Sequence, residues 1–165
     1  MYSLAVRNRT RKFVDQYGKG IALAIKGTGL FFPGIVAMKA LESGYGDSSL
    51  TKEANNFGGI KYAPNLAGVI GFVEKDTTEF VKGKKVIMKQ KFSKFKDVES
   101  GIRATIQVLL LDRYKAARLN AKTPEEQIKM IVRAGYSTNT PDKYYSGLKG
   151  IVEATQDYVG FGRIV

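Results

Sequence analysis

The chain has 165 residues, the size of one compact domain, and 27 Lys and Arg against 15 Asp and Glu give it a formal net charge of +12 at pH 7. It contains no histidine and no cysteine, which excludes a histidine-dependent catalytic triad, an imidazole metal site, a zinc knuckle, an iron–sulfur cluster and a disulfide framework. Any catalysis must therefore use carboxylate, Tyr, Lys, Ser or Thr side chains, and we expect no metal and no organic cofactor.

The N-terminal part of the chain predicts helices. Residues 4–17 have the pattern of a first helix that ends at Gly18. Pro33 suits the first turn of a further helix, which Gly44 or Gly46 ends. The apolar stretches are shorter than the roughly 20 residues that span a bilayer, and the chain opens without the apolar core of a secretory signal. We expect no membrane insertion.

Residues 67–92 predict a small antiparallel β-lobe. Apolar, β-branched runs lie on both sides of a turn at Lys82-Gly83-Lys84. The alternation of apolar and polar residues predicts that one face of this lobe packs on a core while the other is exposed to solvent. The last run divides into an apolar and a basic face, namely Val86, Met88 and Phe92 against Lys85, Lys89 and Lys91.

Helical patterns resume after the β-lobe. Apolar residues recur at three-to-four spacing from Val98 to Leu110. Thr123-Pro124-Glu125-Glu126 is a capping box, and Thr140-Pro141 begins the last helix. The order of elements predicts an α+β fold, with residues 1–165 forming a single helical domain that carries the inserted β-lobe.

Glu42 is the principal candidate for catalysis. It lies four residues after Met38 and seven after Ile35, within the apolar stripe of its helix. A carboxyl group there must face a cleft or find a partner, and shielding from water favours the protonated form that a general acid requires. The structural alternative is an ion pair with Lys39, three residues earlier.

Sequence blocks around and after Glu42 resemble those of the bacterial peptidoglycan glucosaminidases of glycoside hydrolase family 73. The first block is Glu-Ser-Gly-Tyr-Gly at 42–46, and the second is Asn-Asn-Phe-Gly-Gly-Ile-Lys at 55–61, which has one glycine more than is common. Thr-Thr-Glu-Phe at 77–80 and Ala-Gly-Tyr-Ser-Thr-Asn at 134–139 follow in the family's order. The resemblance implies a lysozyme-like α+β fold and a hydrolase that cleaves the β-1,4 bond after N-acetylglucosamine in cell-wall glycan strands.

The resemblance also implies roles for individual residues. Glu42 is the general acid that protonates the glycosidic oxygen, Glu79 on the β-lobe is the second carboxylate that activates water, and Tyr136 positions the substrate. Three residues shape the sugar-binding floor: Tyr45, Asn56 and Phe57.

Two of these roles have alternatives. The acetamido group of the substrate can act as the internal nucleophile, and Glu79 can be a surface carboxylate paired with Lys84 or Lys89. In that case Glu74 and Asp76 are the other candidates for the second carboxylate. The ring of Tyr136 can fill the space between two helices while its hydroxyl donates a hydrogen bond to a backbone carbonyl.

The basic residues form two clusters, which leave a second class of function open. A cationic nucleic-acid-binding module is the rival by composition, but no recognised nucleic-acid motif is present and we expect no nucleic-acid partner. A lytic transglycosylase of the same superfamily is the nearer rival. The clusters are Arg7, Arg9, Arg11 and Lys12, and Lys82, Lys84, Lys85, Lys89 and Lys91.

The expected partner is the peptidoglycan glycan strand, in the periplasm or outside the cell. A basic wall hydrolase without a visible signal peptide is typical of a phage endolysin, released by lysis or carried on a virion.

Overall fold

The structure, a computed structural model, describes residues 1–160 and the side chains of all of these except residues 79–81. A helical body carries one two-stranded antiparallel sheet, which confirms the α+β, lysozyme-like expectation. Within the described residues no helix is long and apolar enough to span a membrane. The elements are α1 Leu4–Ile25, α2 Phe32–Glu42, α3 Ser49–Ala54, β1 Val69–Val81, β2 Lys84–Phe95, α4 Val98–Leu109, α5 Lys115–Asn120, α6 Pro124–Ile131 and α7 Pro141–Val159.

Helix α1 runs through Gly18, so the prediction that the first helix ends there is wrong. Gly18 is buried, and a Cβ at this position would lie 3.5 Å from the ring of Phe32 at the start of α2. This is an ordinary van der Waals distance, so α1 and α2 pack against each other at this point. That packing continues the helix through a residue that costs roughly 1 kcal/mol inside a helix.

Helix α2 is the central element of the core. Its residues from Phe32 to Ala40 are all buried, and it packs against α1, α6 and α7. Gln127 fixes its start: this buried side chain accepts a hydrogen bond from the backbone N–H of Phe31 at 2.8 Å and donates to the carbonyls of Gly29 and Ala117 at 2.9 and 3.1 Å. The last turn of α2 is the part that reaches the surface.

The β-lobe spans 69–95, two to three residues later than the predicted 67–92, and its buried contacts with the body lie at its root. Ser93 and Phe95 are buried, and the backbone of residues 60–62 pairs with the end of β2. Toward the tip, Val86 and Met88 are 37% and 48% exposed. The expectation of one core-covered face is therefore wrong for the tip, because within the described structure no helix crosses it.

The predicted starts of the later helices are confirmed. Thr123 accepts a hydrogen bond from the N–H of Glu126 at 3.1 Å, as its capping box predicts. Thr140 caps α7, whose first residue is Pro141. Asp97 caps α4 by accepting from the N–H of Ser100 at 2.7 Å. These caps set the directions of the helices that surround α2.

Gly101 offers a test of the contact between α4 and the end of α3. A Cβ at Gly101 would lie 1.7 Å from the carbonyl oxygen of Asn55, whereas one at Gly147 on α7 would meet no atom within 4 Å. We expect Gly101→Ala to lower the free energy of unfolding by about 3 kcal/mol and Gly147→Ala to raise it by about 1 kcal/mol. Urea denaturation of both variants measures this, and equal effects would show that the close contact is absent.

Candidate active site

Glu42 is the last residue of α2, and the residues after it stop the helix sharply. The hydroxyl of Ser43 donates to the carbonyl of Lys39 at 2.6 Å and accepts from the N–H of Gly46 at 2.9 Å. These two hydrogen bonds satisfy backbone groups that a further helical turn would otherwise pair. Glu42 is consequently held at the end of a buried helix with its side chain 21% exposed.

The Gly44-Tyr45-Gly46 turn needs its glycines. All three residues have positive φ, at 58°, 59° and 83°, a region that glycine enters without strain. A Cβ on Gly46 would also lie 2.6 Å from the ring of Tyr17. The Glu-Ser-Gly-Tyr-Gly block therefore has a structural meaning, since it ends the helix at Glu42 and folds the chain back onto α1.

Lys39, Glu42 and Tyr136 form a closed network of hydrogen bonds. The Nζ of Lys39, which is 1% exposed, lies 2.8 Å from Oε2 of Glu42 and 3.3 Å from the hydroxyl of Tyr136. The Tyr136 hydroxyl in turn donates to Oε1 of Glu42. Tyr144 also donates to Oε1, at 3.4 Å. Three donors thus converge on one carboxyl group.

The two tyrosines are held in their protonated state. Burial raises the pKa of the Tyr136 hydroxyl well above its usual value, and the charge and hydrogen bond of Glu42 add to this effect. The pKa of Tyr144 is raised for the same reasons, burial first and then the charge of Glu42. Both hydroxyls therefore remain hydrogen-bond donors to Glu42 at any pH near neutrality.

A cavity of about 440 Å³ opens onto this network. Thr105 and Val108 reach it from α4, and Gly135 has a positive φ of 94° that turns the chain into Tyr136. Among the side chains that the structure describes, which exclude that of Glu79, no group of three or more acidic residues is placed to hold a metal ion. The full lining is Lys39, Glu42, Gly58, Ile60, Thr105, Val108, Arg113, Tyr114, Gly135 and Tyr136.

Asn56 and Phe57 lie beneath the cavity floor. The amide of Asn56 donates to the carbonyls of Ile60 and Ser93 at 2.9 and 3.0 Å, and its oxygen accepts from the N–H of Ile60 at 2.9 Å. Phe57 is buried, with its ring centroid 5.0 Å from that of Tyr17. These two side chains support Ile60 and the rest of the floor from below without facing the cavity.

Tyr45 lies beside a different cavity from the one at Glu42. Its ring is covered by the guanidinium of Arg9, 4.1 Å from the ring centroid, and meets the edge of Phe13. The structure therefore separates Tyr45 from Glu42 and Tyr136, which it brings together.

Glu79 can be located only by its backbone, because its side chain lies outside the described structure. It belongs to β1, where it pairs with Val86 of β2. Asp76 and Glu74, the other acidic residues of β1, pair with Lys89 and Lys91.

Sequence reasoning missed three residues of the site. Tyr144 donates to Glu42 from the first turn of α7, and Arg113 and Tyr114 line the cavity from a short 3₁₀ turn after α4. The position of Arg113 and Tyr114 directly after an apolar helix could have indicated that they lie at the site. The sequence distinguishes Tyr144 less well, because its neighbour Tyr145 is also aromatic and belongs to the core.

The Lys39–Glu42 pair predicts an energetic coupling. Glu42→Gln leaves the buried Lys39 ammonium without a counter-charge and should lower the free energy of unfolding by about 2 kcal/mol. Adding Lys39→Met should restore at least about 1 kcal/mol of that loss. Glu99→Gln removes one partner of the exposed Glu99–Arg103 pair and should cost less than about 0.5 kcal/mol. Urea denaturation of the single and double variants gives the coupling, and strictly additive effects would contradict it.

Comparisons with known proteins agree with this geometry. The glucosaminidase family model, described as mannosyl-glycoprotein endo-β-N-acetylglucosaminidase, matches residues 23–157. A search among curated protein sequences finds no match.

The fold is shared with several solved structures. The catalytic domain of the autolysin Auto from Listeria monocytogenes is 23% identical, with 88% of this chain and 84% of that chain covered and a TM-score of 0.75. A C-terminally truncated glycoside hydrolase domain of FlgJ from Salmonella typhimurium is 24% identical, with 91% and 99% covered and a TM-score of 0.68. A peptidoglycan hydrolase from Sphingomonas sp. A1 is 22% identical, with 92% and 97% covered and a TM-score of 0.68. Because the family model covers most of the chain, including Glu42 and Tyr136, the chain belongs to the glucosaminidase family and is a glycoside hydrolase of the endo-β-N-acetylglucosaminidase class.

Proposed function

We propose that this protein hydrolyses the β-1,4 bond after N-acetylglucosamine in the glycan strands of bacterial peptidoglycan. Two similar structures are named an autolysin and a peptidoglycan hydrolase, which supports this substrate. The protein then acts where peptidoglycan lies, in the periplasm or outside the cell.

One observation carries the proposal: the Glu42 carboxyl group lies at the wall of a cavity and accepts hydrogen bonds from Lys39 and Tyr136. Glycoside hydrolysis needs a carboxylic acid placed beside the scissile oxygen. A side chain fixed by three donors has little freedom to leave that position. The geometry suits a single, pre-positioned acid.

Glu42 is the proposed general acid. A sugar that fills the cavity lies beside the Glu42 carboxyl group. Glu42 then gives its proton to the glycosidic oxygen, the bond from that oxygen to the anomeric carbon breaks, and the departing sugar leaves as an alcohol. Tyr136 keeps the carboxyl group oriented during this step and accepts a hydrogen bond from Lys39.

Water completes the reaction at the anomeric carbon. We propose Glu79 on the β-lobe as the carboxylate that takes a proton from this water. The internal route, in which the substrate's acetamido oxygen attacks first, leaves Glu79 a supporting role. The measurement below separates the two routes.

The remaining site residues act on the shape of the cavity. We propose that Asn56 and Phe57 hold Gly58 and Ile60 in the sugar-binding floor, because their own side chains are buried. Arg113 and Tyr114, which line the same cavity, add polar and aromatic surface for a sugar.

Digestion of purified peptidoglycan, followed by mass spectrometry, tests the function. We expect wild-type protein to release fragments with reducing-end N-acetylglucosamine, and Glu42→Gln to be about 10³-fold slower because the proton donor is lost. Glu99→Gln, a surface carboxylate on α4, should digest at the wild-type rate. Anhydro-muramyl ends would instead assign the protein to the lytic transglycosylases, and no release by any variant would refute the proposal.

A matched pair of variants on β1 tests the second carboxylate. If Glu79 activates water, Glu79→Gln should lower kcat by about 10²-fold or more with little change in KM. Glu74→Gln, on the same strand and opposite Lys91, should change kcat less than about twofold. A kcat for Glu79→Gln within about tenfold of wild type would contradict the role of general base and favour the acetamido route.

A further inference from the structure

The four basic residues in the first half of α1, Arg7, Arg9, Arg11 and Lys12, differ in their surroundings. Arg11 lies over the ring of Tyr158 at 5.2 Å, and the hydroxyl of Tyr158 donates to Asp15 at 2.6 Å. Arg7 lies in a cleft that Glu153 and Asp157 also line. Acidic side chains therefore lie near Arg7 and Arg11, although they bond to the N-terminus, Tyr2 and Tyr158 rather than to these arginines.

Arg9 and Lys12 face another part of the surface. They line a cavity of about 250 Å³ together with Gln16, Tyr45 and Lys52. Within residues 1–160 neither Arg9 nor Lys12 forms an ion pair with a carboxylate. The cavity has one acidic residue, Asp47, against these three cations.

The guanidinium of Arg9 is held in place by an aromatic ring. It lies 4.1 Å from the centroid of the Tyr45 ring, and Tyr45 is fixed by its left-handed turn and by an edge-on contact with Phe13 at 6.3 Å. A guanidinium stacked in this way keeps its N–H edge free. That edge matches two oxygens of a carboxylate or phosphate, and the side-chain entropy of Arg9 is already partly lost.

Asp47 reports the electrostatic character of this cavity. Lys52 lies 3.1 Å from its carboxylate. The hydrogen bond and charge of Lys52 hold the pKa of Asp47 below its usual value, and the charges of Lys12 and Arg9 lower it further. The cavity thus favours an oxyanion.

We propose that Arg9 and Lys12, with Tyr45 as the stacking platform, form an accessory site for an anionic group attached to the wall glycan. The class of ligand is a carboxylate or phosphate, carried by a stem peptide or by a phosphate-containing wall polymer. The site lies on the turn that follows Glu42 directly, so it holds the substrate next to the active-site cavity. This inference rests on the proposed function, and it assigns Tyr45 to the anion rather than to a sugar ring.

Equilibrium binding by calorimetry tests the site without requiring catalysis. All proteins carry Glu42→Gln, so that no ligand is cleaved. Arg9→Gln with Lys12→Gln removes two charges from the site, and Arg7→Gln with Arg11→Gln removes two charges from the same helix outside it. The probes are peptidoglycan fragments that carry stem peptides, polyglycerol phosphate, an uncharged N-acetylglucosamine hexasaccharide and single-stranded DNA.

We expect the Arg9/Lys12 variant to bind at least one anionic wall ligand about tenfold or more weakly, and the Arg7/Arg11 variant to stay within about twofold of the parent. Loss confined to the stem-peptide fragments identifies the carboxylate as the ligand, and loss confined to polyglycerol phosphate identifies the phosphate. The hexasaccharide should bind all three proteins equally.

Three results would overturn the proposal: equal losses for the two double variants, unchanged affinity of the Arg9/Lys12 variant for both wall ligands, or a loss seen only with DNA. The last would favour nucleic-acid binding. Because digestion by the wild type is a separate measurement, its failure would refute the glucosaminidase function and not be mistaken for failure of the anion site.

Discussion

The site depends on one electrostatic constraint, the burial of the Lys39 ammonium group at the end of a helix that is otherwise apolar. A charge with 1% exposure needs a counter-charge nearby, and Glu42 supplies it at 2.8 Å, one turn later on the same helix. The ion pair therefore also fixes the Glu42 carboxyl group at the wall of the cavity. This arrangement is compatible with both predicted roles of Glu42, as the ion-pair partner of Lys39 and as an acid at a cavity.

The short turn after Glu42 connects two surfaces of the molecule. Ser43 ends α2, and the left-handed residues from Gly44 to Gly46 return the chain to α1. Glu42, directly before this segment, lines the cavity with Tyr136, and Tyr45 within the segment lies under the guanidinium of Arg9. A substrate that bears both a glycan and an anionic group can meet both surfaces, since only Ser43 and Gly44 separate Glu42 from Tyr45.

The β-lobe is bonded to the body at its root, whereas side chains nearer its tip are exposed. Asn56 and Ser93 join the floor of the cavity to the end of β2 by buried hydrogen bonds. The ion pair of Lys75 with Glu53, at 2.7 Å, adds a contact with α3 halfway along the lobe. Beyond it, Ile87 is 72% exposed. The root of the lobe is thus bonded to Ile60, both through Asn56 and through the N–H of Ser93.

The sequence by itself determined the local features: the helix that ends at Glu42, the caps at Thr123 and Thr140, the hairpin turn, and the motif that brings Tyr136 into the prediction. Each depends on residues close together in the chain, where propensity and spacing decide. Tertiary structure decided the rest. It carried α1 through Gly18 because α2 packs there, placed Tyr45 on another cavity from Glu42, and added Tyr144 to the site. Such outcomes depend on contacts between residues distant in sequence, which no local pattern encodes.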